Sequence, residues 1–212
     1  MKLKLLLITV LAFGSMAQAQ GFISHFSVGA GLEGIFPGAT YTKSVAETSG
    51  STSASTQDTT QSVGVVVDAR YEFGHHSALD FSFTLNRNSE IYEDPTQALS
   101  HVQTNNGELI GSYIVRLPSN EKLKPYVLIG GGMVRFSPNN NFTVDNGTPS
   151  VETKPAFAYG FGTDFKLSER WAIRAQYRGL VRSDPDFKLT GIFGTGLKTN
   201  VAEPSLAIVY HF

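Results

Sequence analysis

The chain has no cysteine among its 212 residues, so no disulfide framework can hold it together. It also lacks an excess of either charge: 17 Lys and Arg face 18 Asp and Glu, a formal net charge of −1 that gives no sign of a nucleic-acid partner. Beyond the first nineteen positions there is no apolar run near the roughly 20 residues that a membrane helix needs. Yet 41% of the residues are hydrophobic. Those apolar residues are spread thinly, in alternation with polar ones, and come with 21 Gly, 15 Phe and 8 Tyr. That combination is the weak sequence signature of membrane-spanning strands.

Residues Met1 to Ala19 read as a secretory signal peptide. Lys2 and Lys4 supply the positive start, Leu5 to Phe13 the apolar stretch, and Ala17-Gln18-Ala19 the small-residue cleavage site. No cysteine follows the apolar stretch, which excludes a lipid-anchored lipoprotein. The remaining Gln20 to Phe212 is enough for one sizeable domain.

Period-2 alternation, the mark of a strand with one apolar face, recurs along that domain. Phe26, Val28, Ala30 and Leu32 share a face in the first stretch, His25 to Phe36. Its Gly29-to-Gly34 match to a dinucleotide-binding fingerprint lacks the required following helix, since Pro37-Gly38 comes next. Gly38 to Ser62 is a polar segment crowded with Ser and Thr, which predicts an exposed loop unable to fold alone. Val63 to Phe73 sets its odd-numbered Val, Ala, Tyr and Phe against Asp68, Arg70 and Glu72. After the Gly74-His75-His76-Ser77 turn, Leu79, Phe81, Phe83 and Leu85 alternate with Asp80, Ser82, Thr84, Asn86 and Asn88.

A second polar loop is predicted from Glu90 to Asn106, followed by a strand from Glu108 to Leu117 with Ile110 and Ile114 turned inward. Tyr126 to Phe136 reads as the fifth strand, with Tyr126 and Phe136 at the two ends of an outward face carrying Leu128 and Val134. A third loop covers Ser137 to Thr153, and its two N-x-T triplets, at Asn141 and Asn146, read as chance products of an Asn-rich loop. The sixth strand places Phe157, Tyr159, Phe161, Phe165 and Leu167 outward, and the seventh places Trp171, Ile173, Ala175, Tyr177 and Val181 outward. A fourth loop, Ser183 to Asn200, precedes the last strand. Eight strands with short turns and long loops in alternation predict an all-β, up-and-down antiparallel transmembrane barrel. A ten-stranded barrel is the alternative, if Phe187 to Phe193 hides a further pair.

The final stretch puts Leu206, Ile208, Tyr210 and Phe212 on alternate positions. It resembles the C-terminal assembly signal of bacterial outer-membrane barrels. Tyr126-Val127-Leu128-Ile129-Gly130-Gly131-Gly132 after Lys124-Pro125 resembles the "PY…GxG" strand of the small barrel family related to the transmembrane domain of OmpA and to OmpX. Gly160 to Phe165, with Leu167-Ser168-Glu169-Arg170-Trp171, is similar to that family's next hairpin. The resemblance implies a bacterial outer-membrane location with both termini periplasmic. Its implied partners are outer-membrane lipids, the barrel-assembly machinery and periplasmic chaperones. No peptidoglycan-binding domain follows Phe212, so it implies no wall-anchoring role.

The face assignment gives seven inward acids: Glu33, Asp68, Glu72, Asp80, Glu108, Asp164 and Glu203. It gives eight inward bases: Arg70, Arg116, Arg135, Lys166, Arg170, Arg174, Arg178 and Arg182. Eight strands leave a bore just wide enough for side chains to fill, and buried ions must be paired, so this near balance predicts a lumen closed by ion pairs. Tyr71, Tyr126, Phe136, Phe157, Trp171 and Tyr177 are the expected interfacial aromatics. Two other functions compete. A narrow or gated channel would use the same charges as its lining. A lipid-modifying enzyme would need a Ser–His pair oriented by an acid. His75, His76 and Ser77 sit in a short turn, and Ser205 and His211 are about 20 Å apart along one strand. With no catalytic set, metal site or cofactor expected, the surface-interaction or structural role carried by long loops is the preferred expectation.

Overall fold

The computed structural model describes residues 24–38, 41–46, 52–74, 76–93, 100–119, 122–144, 147–189 and 198–212, with 41–46, 52–57, 93 and 100 as backbone only. The leader read at 1–19, His75 and Asn146 lie outside these. Ten strands follow one another: β1 (Phe26–Pro37), β2 (Tyr41–Ala46), β3 (Thr52–Thr59), β4 (Ser62–Glu72) and β5 (Ser77–Glu93). Then come β6 (Ser100–Arg116), β7 (Leu123–Thr143), β8 (Glu152–Lys166), β9 (Trp171–Ser183) and β10 (Lys198–His211). Eight of them, β1 and β4 to β10, pair antiparallel in a ring that the β1–β10 and β5–β6 ladders close. The barrel thus leaves no edge inside its ring, as a sheet in lipid requires.

One end of the ring holds the tight connections after Glu72, Arg116 and Lys166 together with the C-terminus. Gly74 turns the first of them with φ at 83°, a left-handed conformation that suits glycine. The other end holds the long connections. We refer to these as the turn end and the loop end.

The outer surface follows the sequence alternation on most strands. Val63, Val65 and Val67 on β4, Phe81 and Phe83 on β5, and Leu206 and Ile208 on β10 are all exposed. A water-soluble sheet would bury these faces. Here the lipid does so.

Strand β7 reverses its expected faces. Tyr126 is 1% exposed and Phe136 0%, with Leu128 and Val134 also buried, whereas Val127, Ile129 and Met133 stand 42%, 55% and 50% exposed. Tyr126 and Phe136 are therefore lumenal side chains and not girdle residues. Arg135 moves with them to the outer face and leaves the expected lumenal set. Both faces of this strand are apolar, so period 2 carries no information about which one faces in. Packing decides. Tyr126 lies opposite Gly162 on β8, where an added Cβ would come within 2.5 Å of the tyrosine hydroxyl. The ring fills the room that the glycine leaves.

The loops also differ from expectation. Within Gly38 to Ser62, β2 and β3 form a hairpin, and β3 pairs with the loop-end part of β5 from Thr56 to Thr59. This strand pair stays outside the ring; of the segment read at Phe187 to Phe193 only residues 187–189 are described, and they form no strand. Glu90 to Asn106 is largely strand, since β5 reaches Glu93 and β6 begins at Ser100. β7 runs for 21 residues, about twice the 9–11 tilted residues that cross a bilayer. These strands rise past the membrane at the loop end. A polar ladder above the bilayer needs no apolar face, which is why alternation did not mark it.

Candidate functional site in the barrel lumen

Three tiers of side chains fill the bore. Nearest the turn end, Asp164 on β8 gathers three arginines. Its Oδ1 accepts from Arg174 Nε at 2.7 Å, and its Oδ2 from Arg70 Nη1 at 3.1 Å, Arg174 Nη2 at 3.3 Å and Arg116 Nη2 at 3.4 Å. Arg70 also donates from Nε to Asp80 at 2.9 Å, Arg174 pairs with Asp68, and Arg116 with Glu72. Arg70 lies 4.5 Å above the Tyr126 ring, and the Tyr126 hydroxyl donates to Gln176 at 2.8 Å. This tier ties β4, β5, β6, β8 and β9 together across the bore.

The middle tier centres on Arg178. Its Nε donates to Glu203 Oε2 at 2.6 Å, and its Nη1 to Ser82 at 2.8 Å. Its Nη2 reaches Glu33 Oε1 at 3.0 Å and Glu108 Oε2 at 3.3 Å. Thr84 donates to Glu33 Oε1 at 2.9 Å and Asn86 to Glu108 Oε1 at 2.9 Å. Thr104 and Asn106 then bond the amide oxygen of Asn88, which carries the polar network toward the loop end.

The third tier changes character. Arg182 is buried with its guanidinium 4.8 Å over the Phe136 ring, and none of its three nitrogens makes a hydrogen bond among the described residues. Phe136 belongs to an apolar cluster with Ile35, Val102, Val134, Leu180 and Val201. Over them sits Phe187, fully buried and edge-on to Phe136 at 6.5 Å. Asp186 and Phe187 donate their backbone N–H groups to Glu152 Oε2 at 2.9 and 3.1 Å, and Tyr92 donates to the Pro185 carbonyl at 2.8 Å. Residues 184–189 therefore fold into the mouth of the barrel.

The acids and bases expected inside are thus brought together with four exceptions: Arg182 is lumenal but forms no ion pair among the described residues, and three others lie elsewhere. Arg135 is on the outer face. Lys166 and Arg170, at the turn-end rim, are exposed and make no ion pair among the described residues. Lys166 ends β8 and Arg170 lies in the turn before β9, both open to solvent. Sequence reasoning missed Tyr92, Phe187 and Glu152, because each acts through its position at the loop end and none belongs to a periodic pattern.

Outside, Trp171 meets Tyr210 at 5.0 Å, and Tyr210 meets Phe212 at 5.1 Å. Arg170 donates to the Tyr210 hydroxyl at 3.4 Å. Tyr71 packs beside Phe26 at this same end, and Phe157 is exposed toward the loop end. Tyr177 is instead at the midpoint of β9, stacked on Phe161 at 5.5 Å. Six residues separate it from either strand end, about 20 Å, too far for an interfacial position. Ser205 and His211 are six positions apart on β10 with no hydrogen bond between them among the described residues, and His76 is an exposed turn residue.

The model of the outer membrane protein beta-barrel domain family matches residues 5–212. The fold is similar to the outer membrane protein OprG from Pseudomonas aeruginosa, with TM-score 0.60, 14% identity, and 88% of this chain and 95% of that chain covered. It is also similar to Neisserial surface protein A, with TM-score 0.58, 15% identity, and coverage of 89% and 97%. A third likeness is to Ail, the attachment invasion locus protein of Yersinia pestis, solved with the heparin analogue sucrose octasulfate: TM-score 0.52, 20% identity, coverage 88% and 97%. No curated protein sequence gives a significant match.

Proposed function

The chain belongs to the outer-membrane β-barrel domain family, and from that premise we propose that it is a non-enzymatic barrel with a closed lumen, working outward through its loop end. The observation that carries this reading is the Asp164 cluster, where one carboxylate receives arginines from β4, β6 and β9 and so crosses the bore. Buried ion pairs of this kind are hard to open, because removing one partner strands a charge in low dielectric. The turn end faces the periplasm in this reading and the loop end the cell exterior, in keeping with short periplasmic turns and longer outer loops.

The outward role is supported by chain length that hairpin closure does not require. Connections of 2–5 residues suffice for a hairpin, whereas β2 and β3 add a two-stranded flap built on β5. Ail, a fold relative, takes a heparin analogue, which is a property of that protein. For this chain it motivates sulfated glycans as the first ligands to try.

Conductance of the refolded protein in a planar bilayer is the test. The closed lumen predicts no stable openings. Stable currents of nanosiemens size would establish the narrow-channel alternative instead. Replacing residues 39–61 with a short Gly/Ser turn should leave heat-modifiable migration intact while reducing surface binding. Loss of barrel folding on that deletion would remove the loop-end assignment. In cells, Phe212→Ala with Tyr210→Ala should lower outer-membrane levels through the assembly machinery, with much less effect on folding in detergent. Normal levels would remove that partner.

A further inference from the structure

The middle tier has too little positive charge. Glu33 from β1, Glu108 from β6 and Glu203 from β10 are all buried around one guanidinium, that of Arg178. Each carboxylate gives one oxygen to that arginine: Glu33 Oε1, Glu108 Oε2 and Glu203 Oε2. Two other oxygens, Glu33 Oε2 and Glu203 Oε1, are buried and have no hydrogen-bond partner among the described residues. In the turn-end tier the orphan atoms are donors, Arg70 Nη2 and Arg116 Nε, and no carboxylate oxygen of Asp68, Asp80 or Asp164 is among them. A buried acceptor without a partner is costly, more so when it carries charge.

One oxygen from each of the three glutamates lies within 4.8 Å of the others. Oxygens around a calcium ion stand at 2.3–2.6 Å from it, so opposite ligands are about 5 Å apart. Around magnesium, at 2.0–2.1 Å, they are about 4 Å apart. A spacing of up to 4.8 Å is within the reach of one such ion, and a buried all-protein site favours calcium, because magnesium gives up its waters reluctantly. The donors are all carboxylate oxygens, the chemistry of hard cations. Three negative charges against one positive leave a deficit of two, which one divalent ion would cancel.

We infer that Glu33, Glu108 and Glu203 form a site for a divalent cation of calcium size inside the lumen. The ion supplies the two missing charges and takes one oxygen from each glutamate as a ligand. Because Glu33 and Glu203 lie on the first and last strands, which meet at the β1–β10 ladder, the ion also joins the two sides of the seam that closes the barrel. The site stands whether or not the lumen conducts, and calcium binding and conductance are read in separate measurements.

The competing way to supply the charge is by protons on the glutamates. Calcium titration at neutral pH separates the two. The full chain, refolded in zwitterionic detergent and stripped with EDTA, is titrated by calorimetry and by equilibrium dialysis with radioactive calcium. One saturable site per barrel is expected, with magnesium at least tenfold weaker. Glu203→Gln and Glu33→Gln should each weaken binding tenfold or more while keeping heat-modifiable migration. Calcium should raise the temperature of barrel unfolding in the parent and not in these variants. No saturable binding up to about 10 mM, above the roughly 10⁻³ M of weak extracellular calcium modules, would overturn the site and leave protons as the counter-charge. Unchanged binding in folded Glu203→Gln would overturn it also, by placing the ion elsewhere. If neither variant folds, parent stoichiometry decides alone: a value near one supports the site and a value near zero refutes it.

Discussion

The two halves of the lumen are filled by opposite means. Toward the turn end, Arg70, Arg116 and Arg174 are locked to Asp68, Glu72, Asp80 and Asp164 in one connected set. Toward the loop end, an apolar cluster under Phe187 closes the bore, and its one deeply buried guanidinium, Arg182, makes no hydrogen bond. Both fill the same narrow ring. The difference lies in what each would cost to disturb. An ion-pair set fails when any member is removed, because its partners are left charged and dry. An apolar cluster loses only the contacts of the atoms deleted, and a segment folded over its top can lift without opening a ladder.

The largest effect should come from breaking the turn-end hub. Asp164→Ala leaves Arg70, Arg116 and Arg174 short of acceptors and should cost about 3–5 kcal/mol of barrel stability. Urea unfolding in detergent, followed through Trp171, measures it. A change under about 1 kcal/mol would show that water replaces the carboxylate and that the tier is no tighter than the mouth. Removing the arginine side should agree: Arg174→Met strands Asp164 and Asp68 and should cost a similar amount.

Phe187→Ala probes the other half and should cost less, about 1–2 kcal/mol, within the ordinary range for single substitutions. A phenylalanine inside a rigid core costs about 3–5 kcal/mol when truncated. Phe187 instead belongs to a segment held by the Glu152 and Tyr92 hydrogen bonds, outside the ring. Proteolysis of residues 184–197 should speed up well before global unfolding shifts. Equal shifts in both would mean that the mouth and the barrel unfold as one unit.

The contrast between the halves also bears on what was legible beforehand. On β4, β5 and β9 one face carries charge or amide groups and the other carries Val, Phe or Ile, so alternation alone assigned lipid and lumen. The acids and arginines of both inner tiers were legible for that reason. How they divide among tiers was not, since that depends on shear between strands. On β7 both faces are apolar, and only the glycine opposite Tyr126 decides its direction. The Ser/Thr-rich β2–β3 hairpin has no apolar face to read, because its pairing with β5 takes place above the membrane. Phe187 was hidden for a related reason. A single aromatic in a polar loop has no periodicity, and its inward course depends on a left-handed turn, with φ at 52° and 57° for Phe187 and Lys188.

The smallest expected effect is the most discriminating. Arg182→Met removes a full positive charge from the interior, which on the turn-end pattern should be as harmful as Arg174→Met. Yet Arg182 leaves no bonded carboxylate behind, since Nε, Nη1 and Nη2 all lack hydrogen-bond partners. What the substitution deletes is the stack on Phe136, worth about 0.5–2 kcal/mol as a cation–π contact. What it relieves is the desolvation of a guanidinium that makes no hydrogen bond, several kcal/mol after relaxation, less its attraction to the nearby Asp184 carboxylate. Methionine also retains much of the volume and continues the apolar cluster around Phe136 and Leu180. The net change should fall within about 1 kcal/mol of zero, with stabilisation the favoured direction, since replacing buried charge by well-packed apolar groups is often neutral or stabilising. Urea midpoints for Arg182→Met and Arg174→Met, measured side by side in the same detergent, give the comparison directly. A loss of about 3 kcal/mol or more at Arg182 would mean that its charge is held by water or by a ligand at the mouth, and the two halves would then be filled by the same means.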